Sequence, residues 1–216
     1  MPRRPALSPE GIVLAAVRVA DRGGLAQVSM RNVGRELGVE AMSLYHHVAN
    51  KDALLDALAD WVFTRIDLPG PDQPWRPAMV ARATSARREL AAHPWALALV
   101  ESRRTPGPAL LRDHDAVLGC LRRQGFTVAL AAHAFSALDA YVYGFVLTEL
   151  TLPFDEDEGA SGFVDEVQDL IDPAAYPHLV ELMTEQVVGQ DYTYGQEFGF
   201  GLDLILDSLE RHLAEG

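Results

Sequence analysis

Arg31, Ser43, Tyr45, His47 and Lys51 fall within one short stretch, residues 29–51, SMRNVGRELGVEAMSLYHHVANK. Their side chains share one chemistry, hydrogen-bond donation to fixed anionic or carbonyl acceptors. An arginine fork matches the O6 and N7 atoms of guanine, and a serine hydroxyl can meet a base edge or a phosphate. Lysine acts on a phosphate as a point charge. Ala41 and Met42 lie among them and offer only apolar contact, most useful against a thymine methyl. Such a set breaks no bond. It suits the reading of duplex DNA, provided the backbone holds the donors on one face.

The elements that must hold them are helices. Ser29 is placed to cap a helix carrying Val33 and Leu37, and Gly38 supplies the left-handed residue that ends it. Val39 follows as an apolar anchor. A second helix is expected over roughly Glu40 to His47, with Leu44 turned inward. Asn50 then caps a third run, KDALLDALADWVF. Two short helices joined by a glycine turn, the second with a polar outer face, form a helix-turn-helix, whose second helix fits a major groove.

The run LGVEAMSLYHHVANKDALLDAL is similar to the N-terminal DNA-binding domain of the tetracycline-repressor (TetR) family of bacterial transcription regulators. The similarity spans roughly residues 8–66. The tail GQEFGFGLDLILDSLERHL resembles the last helix of the branch containing the tetracycline repressor itself. Trp75 and the Gln124-Gly125-Phe126 turn also fit that branch. The resemblance implies an all-α chain in two parts. Residues 1–66 would be a helix-turn-helix head with a linker helix, and residues 67–216 an effector-binding and dimerisation domain. By match to the motif, Ala41, Met42, Ser43, Tyr45 and His47 would face the groove, with Tyr45 and His47 on phosphates. Lys51 would reach the backbone and Arg31 would read a guanine. Tyr45 has a second reading, as packing for the small core of the head. His46 reads as structural.

Net charge is −13, distributed unevenly. Residues 1–66 carry 8 Lys+Arg against 7 Asp+Glu, and residues 67–216 carry 10 against 24. Local rather than total charge decides affinity for phosphate. An acidic body leaves the basic face of Arg3, Arg4, Arg31, Arg35 and Lys51 as the route to DNA; it also simply keeps a protein soluble. The one cysteine, Cys120, allows no internal disulfide, and no apolar run follows MPRRPALSPEG. Both fit a cytoplasmic protein.

Beyond the head, LPGPDQP at 68–74 interrupts helix formation. Helices are expected over 75–92, 95–102 and 108–124, then over 127–152 and 194–214. The last two are apolar on more than one face. His133, Asp139 and Glu149 interrupt the first of them and argue against a membrane span. Gly195, Gly199 and Gly201 thin the second and invite close approach by another helix. The resemblance makes these two helices a four-helix homodimer interface. Residues 153–172 read as an acidic loop leading into a short amphipathic helix.

Polar and aromatic residues on the apolar helices of the body, Arg82, Trp95, Arg104, His114, Phe135, Asp139 and Tyr143, are candidates for an effector pocket. Aligned through Trp75 and Gly125-Phe126, the family's magnesium-binding positions read Val100 and Thr148. Neither suits Mg²⁺. No metal or cofactor is expected, and the effector class implied is a hydrophobic or aromatic small molecule. The chain carries no G-x-S-x-G, H-E-x-x-H, Walker or G-x-G-x-x-G signature, so it is not read as an enzyme. The function implied is a ligand-responsive repressor released from a palindromic operator. A regulator that needs a corepressor and a helical interaction bundle without sequence-specific DNA binding are the alternatives.

Overall fold

Ser8 opens the first helix as the sequence requires, its hydroxyl accepting from Gly11 N at 3.1 Å with Pro9 at the first helical position. In this computed structural model, which describes residues 7–102, 105–153, 160, 162, 164, 167, 170–188 and 192–215, every regular element is helical. The helices are α1 (Pro9–Gly23), α2 (Met30–Leu37), α3 (Ala41–Leu44), α4 (Lys51–Phe63), α5 (Trp75–Ala92), α6 (Trp95–Ser102), α7 (Pro108–Arg123), α8 (Val128–Glu149), α9 (Pro177–Leu182) and α10 (Glu197–Glu215). The chain divides into two compact units, Met1–Tyr143 and Gly144–Gly216.

In the first unit, α1 to α4 pack around Ile12, Ala16, Val33, Leu44, Leu54, Leu58 and Val62, all essentially closed to solvent. Full burial of one such leucine contributes roughly 1.5–3 kcal/mol, enough to matter for a helix as short as α3. Three caps set the register. Ser29 Oγ accepts from Asn32 N, Asn50 Oδ1 accepts from Ala53 N, and Gly38 adopts φ 66° to end α2. Trp75 packs edge-on to Phe126 at 5.0 Å, and Gln124 Oε1 accepts from Trp75 N at 3.0 Å. Gly125, at φ 97°, makes the turn that returns Phe126 to the core.

Two expectations need correction. The second helix of the motif is one turn, Ala41–Leu44, and does not continue to His47. Tyr45 and His47 instead donate their backbone N–H groups to Met42 and Leu44 in tight i→i−3 turns. Tyr-His-His followed by β-branched Val48 has little intrinsic helix preference, and Asn50 starts the next helix in extended conformation. The linker helix ends at Phe63, short of the bound at residue 66 expected for the head with its linker helix.

Helix α8 is long and apolar enough by length and composition to cross a membrane, with a mean hydropathy of 1.3 over its most apolar window. In the second unit Phe145 stacks on Tyr194 at 4.7 Å and meets Phe198 edge-on at 5.0 Å, with Leu202, Leu206 and Leu209 buried further along α10. Leu147, Phe200 and Leu204 stay more than half exposed. The expected acidic loop at 153–172 falls mostly outside the described residues, as does Phe163 of the helix expected after it.

Candidate nucleic-acid interface and effector cluster

Gly34 sets the geometry of the helix-turn-helix. A Cβ there would lie 2.9 Å from Val39 O and 3.3 Å from Ala41 N. Only glycine lets α2 close onto the turn, where Val39 N donates to Gly34 O at 2.9 Å. Sequence reading passed over Gly34, although its place four residues before Gly38 was the available signal. Leu44 then anchors α3 inward with no exposed surface.

The residues expected to face the groove differ in exposure. Met42 is 73% exposed, Tyr45 is 45% exposed, and His46, His47 and Lys51 are exposed. Ala41 and Ser43 are half-buried. The exposure of Tyr45 weighs against its reading as core packing. Arg31, at the start of α2, is exposed too. Arg18 and Arg22 are differently engaged: both donate to Glu36, Arg18 at 2.7 Å, tying α1 to α2. These hydrogen bonds hold the Glu36 carboxyl below its ordinary range.

In α5, α7 and α8 the expected pocket residues separate into two groups. Arg82 is 3% exposed and Asp113 wholly buried. Arg82 Nε and Nη2 donate to the two oxygens of Asp113 at 2.8 and 2.6 Å, and Nη1 donates to Asp139 Oδ1 at 2.8 Å. Burial works to lower the Arg82 pKa, but the hydrogen bonds and charges of the two aspartates overcome it and hold the proton above the usual guanidinium range. For Asp139 burial prevails over the attraction of Arg82, and its pKa is raised. Phe135 lies under the guanidinium at 5.9 Å and meets His114 edge-on at 4.6 Å. Tyr143 Oη sits 3.5 Å from Asp139 Oδ2. Arg82, His114, Phe135, Asp139 and Tyr143 therefore do converge. Asp113, which is not among the pocket candidates the sequence offered, is the missing partner.

Trp95 does not join them. Its Nε1 donates to Asp21 Oδ1 of α1 at 2.7 Å, and its ring stacks with Trp61 of α4 at 6.5 Å. The break at His93-Pro94 turns α6 away from α5 and carries Trp95 toward the first helices. Arg104 lies outside the described residues.

A cavity of about 230 Å³ opens between α4, α6 and α7, lined by Phe63, Leu99, Val100 and Leu110 with Asp60 at its edge. None of the expected pocket residues that the structure describes lines it. Asp60 also fastens α4 to the start of α7, its Oδ1 accepting from Ala109 N at 2.7 Å and Leu110 N at 3.1 Å. Gly107 at the N-cap has no side chain of its own, and a Cβ there would fall 2.2 Å from Asp60 Oδ1.

Comparison with known proteins gives this geometry its context. Residues 12–58 match the family described as bacterial regulatory proteins, tetR family, and residues 68–213 match the tetracyclin repressor-like C-terminal domain. The HTH-type transcriptional repressor DrrR1 of Streptomyces coeruleorubidus is 34% identical over 98% of this chain and 80% of its own length. The class A tetracycline repressor from transposon 1721 in Escherichia coli is 31% identical, covering 72% of each chain. Apo ActR from Streptomyces coelicolor superposes with a TM-score of 0.78 at 27% identity, covering 97% of both chains, and the ActR complex with actinorhodin gives 0.74 at 27% identity, covering 96% of this chain and 99% of that one. The chain is a member of the tetR family of bacterial transcription regulators.

Proposed function

We propose that the protein is a ligand-responsive repressor that binds a palindromic operator as a homodimer and releases it when a small effector binds. The chain then divides as a DNA-reading head, residues 1–66, and an effector and dimerisation body, residues 67–216. The observation that carries the reading is the outer face of α3 and its flanks. Met42, Tyr45, His47, Lys51 and Arg31 stand exposed while Leu44 fixes the helix beneath them. Met42 and Tyr45 leave much apolar surface uncovered there, and a groove-facing surface accounts for both.

Dimerisation draws support from the second unit. Leu147 on α8 and Phe200 and Leu204 on α10 are exposed apolar side chains, and a Cβ at Gly144 or Gly199 would meet nothing within 4 Å. Within the chain those glycines leave open space that a second helix can fill. A symmetric dimer covers such faces and presents two heads to half-sites about 34–36 Å apart.

The effector reading rests on the Arg82–Asp113–Asp139 cluster with its His114, Phe135 and Tyr143 rings, a set of placed polar groups beside aromatic walls. ActR has been solved with actinorhodin and with (S)-DNPA. An aromatic small molecule is accordingly the effector class proposed here, acting in the cytoplasm and by binding alone, without chemistry. Asp139, midway along α8, is tied to Arg82 inside the protein, as a helix packed in a protein interior requires.

The test is retention of fragmented genomic DNA by the purified protein at near-physiological salt, followed by sequencing. A shared palindrome with half-sites one helical turn apart is expected. Retention without any shared sequence would refute the reading and favour the interaction bundle.

A further inference from the structure

The clamp around Asp21 has no part in the reading above. Asp21 sits near the end of α1, and one of its oxygens, Oδ1, receives two donors from the break between α5 and α6: His93 Nδ1 at 2.8 Å and Trp95 Nε1 at 2.7 Å. With a carboxylate as acceptor, the His93 proton sits on Nδ1. The donors are themselves held. Trp61 of α4 meets the His93 ring edge-on at 5.0 Å and stacks on Trp95 at 6.5 Å. Arg65 lies over Trp61 at 6.0 Å and reaches Glu89 of α5 at 3.4 Å. Trp95 is 7% exposed, so its N–H has almost no water to turn to when the aspartate is removed.

The clamp joins both outer helices of the head, α1 and α4, to one point of the body. A single pin would leave rotation free about itself. A second fastening, Asp60 of α4 on the first amides of α7, starts from a different helix than Asp21 of α1 and reaches a different helix of the body. Two separated fastenings fix an orientation. We infer that Asp21 is a positioning residue that sets the angle of the DNA-reading helices on the body, and through it the half-site spacing the repressor accepts. The spacing part rests on the operator reading above; the orientation part does not. Each base pair of spacer shifts a half-site by about 3.4 Å and turns it by about 35°. A head fixed in angle cannot follow that change, whereas an unclamped head can.

The test has two readouts. Spin labels on Ala26→Cys and Asp115→Cys, both exposed sites, in a Cys120→Ala background diluted with unlabelled protein, give the distribution of head-to-body distances without DNA. Asp21→Ala should broaden it. Trp95→Phe, which keeps the buried ring and removes only the N–H, should do the same and covers the case in which Asp21→Ala folds poorly. Asp21→Asn keeps an acceptor oxygen and should restore the narrow distribution. On operators with the spacer lengthened or shortened by one base pair, the wild type should lose affinity by a factor in the range of about 5–150, and Asp21→Ala should lose less than about threefold. An unchanged distance width in both variants overturns the inference, even where thermal stability falls, because the contact would then be merely structural. Recovery of no palindromic operator at all would instead count against the operator reading and leave the distance measurement to decide the clamp.

Discussion

Replacing Arg82 with Met should cost more stability than any change on the surface of this protein, and the cost should depend on pH. Arg82 is 3% exposed and Asp113 has no exposed surface, and the guanidinium supplies both oxygens of Asp113 and one of Asp139. Removing it strands two carboxylates, one of them wholly buried. Breaking a buried pair in this way costs about 3–5 kcal/mol, roughly a fifth or more of a typical total of 5–15 kcal/mol. The stranded aspartates can escape the penalty by taking up protons. The loss should therefore be largest near pH 7.5 and smaller near pH 5. The double variant Arg82→Met/Asp113→Asn, which leaves no unpaired charge at full burial, should recover part of the loss. The assay is urea unfolding followed by circular dichroism, at fixed protein concentration because a dimer couples stability to concentration. A loss below about 1 kcal/mol at pH 7.5, set against the range expected for a broken buried pair, would refute the reasoning. A double variant no better than the single one would do so as well.

The other predictions concern single contacts. Arg31→Ala should cost about 1–3 kcal/mol at one operator base pair and relax specificity there; competition binding with single-base operator variants checks it, and a loss equal on every sequence would exclude base reading. Lys51→Ala should weaken binding uniformly and flatten the salt dependence by about one unit, measured as the slope of log affinity against log salt. Phe200→Glu, at a position 67% exposed in the isolated chain, should leave the fold intact and yield a monomer by sedimentation; an unaltered dimer would place the interface elsewhere. Because the pKa of Asp139 is raised by burial, the folded state holds that proton more tightly than the unfolded one. Its contribution is present below the ordinary carboxylate value of 3.8 and is lost as pH rises through the folded value. Asp139→Asn should fall less steeply in stability than the wild type over that window, and parallel curves from urea midpoints would remove Asp139 as the source.

The head was legible because its signals are local. Ser8, Ser29 and Asn50 cap helices through contacts three residues away, and Gly38 and Gly125 announce positive φ by residue type. Where local signals weaken, the reading slipped. Nothing in Tyr45-His46-His47 stops a helix as a glycine would, so α3 was drawn too long. The body obeys a different logic. Arg82 and Asp139 were singled out as polar groups on apolar helices, which residue type and periodicity do reveal. Arg82 meets Asp113 across 31 positions of chain and Asp139 across 57, and both contacts depend on how three helices cross.

Trp95 shows why a list correct in residue type can fail in partner. It was grouped with the pocket because it is aromatic and lies in the body, yet it answers to Asp21, 74 positions away, once Pro94 has turned the chain. The two aspartate sites also differ in what they demand of the fold. Asp113 is sealed, so its charge must be answered by Arg82 wherever the helices settle. Asp21 keeps a third of its side chain in solvent and folding does not need its partners in the same way. A contact whose carboxylate is not sealed in the core, placed where two parts of the chain meet, is free to hold one geometry rather than another. That freedom is what a switching protein needs at such a junction.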